Sequence, residues 1–89
     1  MLELSIEIGQ LIRKKRKEKK ITQEALALQC GIDRSYIGRI ERGEVNLTVE
    51  KLYEIATALE VDMKEIIAII FSVFFQYHIL QIQSDHQFS

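Results

Sequence analysis

Arg34, Ser35 and Arg39 recur at a spacing that places them on one side of a short helical segment, opposite Ile37 and Ile40. An arginine on such a side can offer two donors at once to O6 and N7 of a guanine. The same side chains on a solvated face would only keep the chain soluble, and spacing alone does not separate the two. Gln23 follows Thr22, a natural helix cap, and so falls where free backbone N–H groups and the positive helix end attract a phosphate. An exposed, helix-forming glutamine is the plainer alternative. The run Arg13-Lys14-Lys15-Arg16-Lys17, continued by Lys19 and Lys20, is either a phosphate-facing surface or a solvated helix face. Tyr36 can reach a phosphate with its hydroxyl or simply cover a turn.

Other chemistry finds little to stand on. One cysteine, Cys30, and two histidines, His78 and His86, make neither an internal disulfide nor a usual zinc site, so no metal and no cofactor is expected. Cys30 belongs to an apolar stripe and no nucleophile has a base at recognisable spacing, so catalysis is not expected. The net charge of −1 hides an uneven distribution: 10 Lys/Arg against 6 Asp/Glu up to Arg42 give +4, and 2 against 7 from Gly43 onward give −5. A polyanion responds to the local basic face and not to the total. With 89 residues, 47% apolar, 28% charged and no proline, the chain has room for one small all-helical domain. The lone cysteine suits a reducing compartment, and the basic cluster follows the first apolar residues where an export signal would have it precede them; the expected location is cytoplasmic.

The elements that must position these residues can be read from periodicity. Leu4, Ile8, Leu11 and Ile12 predict a first helix from Ser5 to Lys19, after which Ile21 returns to the core. Thr22 caps a second helix with Leu26, Ala27 and Cys30 inward and Gly31 as its stop. Asp33 caps a third, running to about Arg42, with Tyr36, Ile37 and Ile40 as its apolar stripe and Gly43 at its end. Two brief helices joined by a tight, glycine-containing turn make a helix-turn-helix, whose second helix can enter a major groove. After the loop Glu44-Val45-Asn46-Leu47, Thr48 caps a fourth helix with Val49, Leu52, Ile55, Ala56 and Leu59 inward. Asp62 and Glu65 make a capping-box-like start to a fifth, apolar nearly all round from Ile66 to Ile82, with Ser84 to Ser89 expected to fray.

The run Ile21-Thr22-Gln23-Glu24-Ala25-Leu26-Ala27, then Gly31, Ser35-Tyr36-Ile37, Ile40-Glu41-Arg42-Gly43, Leu52, Ile55-Ala56 and Leu59, resembles the Cro/repressor-type (XRE-like) helix-turn-helix regulators. Asp33-Arg34-Ser35-Tyr36-Ile37 and Asn46-Leu47-Thr48 look most like the controller proteins of restriction-modification operons. The resemblance implies an all-α, five-helix bundle that binds double-stranded DNA, with Arg34, Ser35 and Arg39 at positions that contact bases. It also implies that Arg16 pairs with Glu41, bridging the first helix to the end of the third while contacting backbone. Arg13, Lys17, Lys20, Arg42 and Asn46 are read from charge and place as candidate phosphate contacts beside Gln23, with Tyr36 open between a phosphate and the turn. The sequence departs from the pattern at Gly38 within the recognition helix, at Leu28, and at Glu44-Val45, which lacks a basic loop residue.

Residues 1–64 are thus read as the DNA-binding bundle and 65–89 as a C-terminal dimerisation helix and tail of the same domain. Ile66 to Ile82, 17 residues containing Ser72, Gln76 and His78, is short for a membrane span, which needs about 20 apolar residues. A homodimer explains it better. One stripe is Ile66, Ile70, Val73, Tyr77 and Leu80, the other Ile67, Phe71, Phe74 and His78; one covers the bundle and the other a partner, with Ile66, Ile70, Val73, Phe74 and Tyr77 expected at the interface. Two such subunits would read a pseudo-palindromic operator. An antitoxin or protein-binding adaptor on the same fold is the alternative.

Overall fold

Five helices appear in the predicted order, and four of them stop by the same device. The computed structural model describes the backbone of residues 2–87, with side chains from 3 to 81 apart from Leu80. The helices are α1 (Leu2–Glu18), α2 (Gln23–Cys30), α3 (Arg34–Glu41), α4 (Val49–Ala58) and α5 (Met63–Gln87), with no strand among the described residues. After each of the first four, one residue turns left-handed: Lys20 (φ 60°), Gly31 (66°), Gly43 (75°) and Glu60 (56°). The following N–H then reaches back to the helix: Ile21 to the Arg16 carbonyl, Ile32 to Ala27, Glu44 to Arg39 and Val61 to Ala56. This Schellman closure satisfies carbonyls that the helix leaves unpaired. Gly31 and Gly43 signal it in sequence, whereas Lys20 and Glu60 do not, because side-chain-bearing residues resist that conformation.

The helix starts follow the expected caps in part. Thr22 Oγ1 accepts from the Ala25 N–H at 3.0 Å and Thr48 Oγ1 from the Lys51 N–H at 3.1 Å. Asp33 stands at the cap of α3 without a side-chain cap bond. Asp62 accepts from the Lys64 N–H at 2.9 Å, but the Glu65 carboxylate turns to Lys15, so no reciprocal capping box forms. α1 begins ahead of Ser5, and α5 remains helical past Ser84 to Gln87.

The core is built from Ile8 and Ile12 of α1, Leu26 and Ala27 of α2, Ile37 and Ile40 of α3, Leu52, Ile55 and Ala56 of α4, Leu59, and Ile66 of α5. Val49 does not join it: as the first residue of α4 it lies a turn ahead of Leu52 and is 79% exposed. Cys30 is half-buried at the core's edge, where burial pushes its thiol up, with the Glu54 charge adding to the effect. Two glycines let α1 lie directly on the end of α3. A Cβ on Gly9 would collide with the Ile40 carbonyl oxygen and stand 2.8 Å from that of Glu41; one on Gly43 would stand 2.7 Å from Ile6 Cα. Gly9→Ala, which in an unobstructed helix would gain up to about 1 kcal/mol, is therefore expected to cost about 1–3 kcal/mol through overpacking. Urea unfolding checks this, and a stabilised variant would show that the two backbones are not in close contact.

Candidate nucleic-acid interface

α3 is anchored by Ile37, Gly38, Ile40 and Glu41, all buried. Ser35, Arg39 and Arg42 project oppositely, within about 60° of one another at about 100° per residue. Arg34 opens the helix and is exposed, and Tyr36 is half-buried beside the core. Arg42, placed by sequence among the phosphate contacts, thus shares the outward arc with two of the expected base readers. Gly38 is buried and does not face outward. A Cβ there would lie 3.1 Å from Arg42 Nη1 and 3.9 Å from the Gln23 amide, so the missing side chain makes room for these two groups.

One carboxylate ties the recognition helix to the rest. Glu41, its side chain 2% exposed, accepts from Arg16 Nε at 2.7 Å, Arg16 Nη2 at 3.1 Å and Gln23 Nε2 at 3.0 Å. Arg16 Nη1 donates to the Ile21 carbonyl at 2.9 Å, so α1, α2, α3 and the turn before α2 meet at this point. The bidentate Arg–carboxylate fork is the strong form of such a pair. Arg16 was expected to contact DNA backbone as well; with its side chain 11% exposed and donors committed inward, it is instead a brace. Gln23 keeps part of its surface outside while one amide N–H holds Glu41.

The basic run of α1 is sorted by helical phase. Lys15 pairs with Glu65 at 3.1 Å and Glu18 at 3.8 Å, and Lys19 with Glu60 at 3.0 Å, so these two close on the acidic start of α5 and end of α4. The hydrogen bond to Glu65 raises the Lys15 ammonium above its ordinary range. Arg13, Lys14, Lys17, Lys20, Arg34 and Arg39 are exposed and make no ion pair among the described residues. Arg13 and Lys17, one turn apart, rim the side on which Arg16 meets α3. Asn46 is exposed, its Oδ1 accepting from Ser5 Oγ at 2.9 Å.

α5 corrects the expected interface. Ile66 (2% exposed) and Val73 (6%) are buried within their own chain, and Ile70 is half-buried against the core, because this stripe packs on the bundle. The outward apolar face is Ile67, Phe71, Phe74, Phe75 and Ile79, with Tyr77 also exposed. Leu80 lies outside the described side chains. No helix among the described residues is long and apolar enough to cross a membrane.

Removing one partner of the buried pair strands the other charge. Glu41→Ala and Arg16→Ala are each expected to cost about 3–5 kcal/mol, with the double variant no worse than the poorer single one. Thermal melts of the three variants decide this, and unchanged melting in both single variants would mean that the pair is not a brace.

A profile of the helix-turn-helix family matches residues 12–66. Control protein C.MunI of a Mycoplasma species is 34% identical over 67 residues, covering 74% of this chain and 90% of its own length. Among solved structures, the restriction-modification controller C.AhdI from Aeromonas hydrophila superposes with a TM-score of 0.65 at 39% identity, over 70% of this chain and 90% of that one. The controller C.Esp1396I, as a tetramer on its natural 35 base-pair operator, does so with a TM-score of 0.66 at 39% identity, over 76% of this chain and 95% of that one. The geometry of α2 and α3, the Arg16–Glu41 brace and these likenesses agree: the chain belongs to the helix-turn-helix family of Cro/repressor-type transcriptional regulators.

Proposed function

We propose that this chain is a sequence-specific regulator that binds a pseudo-palindromic operator as a homodimer, in the manner of a restriction-modification controller. The observation that carries the reading is the outward arc of α3, whose exposed arginines stand on a helix fixed by a buried, fully partnered carboxylate. Arg34, Ser35 and Arg39 read bases, and Arg42 shares their arc. Arg13, Lys17, Lys20, Gln23, Tyr36 and Asn46 meet the backbone, Gln23 from a helix start whose first N–H groups face a phosphate. The likeness to C.MunI and C.AhdI supports the operon type. The reading assigns binding and no reaction, in the compartment where the genome lies.

The dimer is assigned to the outer face of α5, chiefly Ile67, Phe71, Phe74 and Phe75, which follows the stretch shared with the family. An apolar face this broad on so small a chain calls for a partner. Two copies presenting α3 one duplex turn apart, about 34–36 Å, would favour half-sites about ten base pairs between centres.

Two measurements test these assignments. Selection from a random duplex pool supplies the operator. Arg39→Ala is then expected to lose about 1–3 kcal/mol on it and relax one base preference per half-site, whereas Lys17→Ala weakens operator and random duplex alike and flattens the salt dependence. The reverse pattern would mean that the wrong face has been placed in the groove. In sedimentation, Phe71→Glu is expected to convert the dimer to monomer with weakened operator binding; a variant that remains a dimer would move the interface elsewhere.

A further inference from the structure

Between Ile67 and Ile79 the outward face of α5 carries one side chain that changes charge near neutral pH, His78. At about 100° per residue it lies within about 60° of Ile67, Phe71, Phe74 and Phe75, in the middle of the apolar surface and away from the polar strip of Ser72 and Gln76. In the single chain His78 is exposed, makes no ion pair among the described residues, and meets the Tyr77 ring edge-on at a centroid distance of 6.3 Å. The charges of its own helix are remote: Lys64 and Glu65 stand roughly 20 Å before it at 1.5 Å per residue, and Asp85 and His86 follow two turns on, outside the described side chains. Gln81, one turn on, is uncharged. The bundle packs on the opposite side of α5 through Ile66, Ile70 and Val73, and the charge it brings to this helix, Lys15, is at Glu65.

We propose that His78 makes the dimer proton-sensitive: two α5 faces close on each other while this imidazole is neutral and part when it takes up a proton. The inference rests on the assignment of the dimer to the outer face of α5. A neutral imidazole among phenylalanines needs one acceptor and one donor at most. An imidazolium brings a full charge, and withdrawing that charge from water with no carboxylate facing it is far more costly. Two separate chains therefore bind more protons than their dimer. Association is complete above the range in which an imidazole titrates in water, about pH 6.5, and is lost as the pH falls through and below it. Acidification would then release the operator by separating the two reading heads.

Sedimentation equilibrium of the full chain at constant salt, at about pH 7.5, 6.5 and 5.5, measures the dimer dissociation constant. From the highest pH to the lowest it is expected to rise by about ten- to a hundredfold, because each of two imidazoles contributes up to about a factor of ten per pH unit below its titration range. His78→Gln and His78→Phe, neither of which can be charged, are expected to remain dimers throughout with changes under about threefold. His86→Gln should respond to acid as the wild type does. Acid dissociation of either His78 variant as strong as that of the wild type would overturn the proposal, as would a loss of the response in His86→Gln. If both His78 variants were monomeric at the highest pH, the ring would be needed for more than its lack of charge, and the proposal would also fall. A wild-type chain that is monomeric at every pH would overturn the dimer assignment and this inference together, whereas a dimer indifferent to pH overturns this inference alone.

Discussion

A carboxylate almost wholly withdrawn from water must be met by donors, and the donors for Glu41 come from two other helices. That requirement organises the molecule. α3 is only eight residues long, too short to persist by itself, and its position is fixed at one end by Glu41 and along its inner side by Ile37 and Ile40. Gly9 and Gly43 serve the same arrangement, since without their bare backbones α1 could not come near enough for Arg16 to reach the carboxylate. A recognition surface held to this tolerance can select among base sequences, because misplaced donors would lose their bidentate geometry.

α1 then acts as a strut with three working sides. Arg16 holds α3, Lys15 and Lys19 hold the start of α5 and the end of α4, and Arg13 with Lys17 stay exposed on the side proposed to meet phosphate. The exposed pairs contribute little stability individually. Their consequence is geometric: the helix assigned to dimerisation and the helix assigned to base reading are both referred to one rigid element, so the separation of two reading heads follows from how two α5 helices pack.

α5 carries two apolar faces separated by a narrow polar strip at Ser72 and Gln76. The bundle uses the face of Ile66, Ile70 and Val73, leaving the phenylalanines outside. A helix that is apolar all round is stable in water only when both faces are covered. The cover assigned to the second face is another copy of the chain, which provides a self-complementary one.

The sequence by itself determined the number and order of helices, the apolar stripes, the Thr22 and Thr48 caps, the glycine stops and the helix-turn-helix, because these depend on neighbours three or four residues apart. The Arg16–Glu41 pair was legible only through resemblance, being 25 residues apart. Tertiary structure alone decided which lysines of the basic run are spent on Glu60 and Glu65, which stripe of α5 is inward, that Val49 is outside, and that Gly38 shelters Arg42. It also decided that Arg16 is a brace and that Arg42 shares the reading arc with Glu44 attached. Periodicity gives a side chain's angle around its own helix. Its partner depends on how that helix is docked against the others, which is set by long-range packing such as the bare crossing at Gly9.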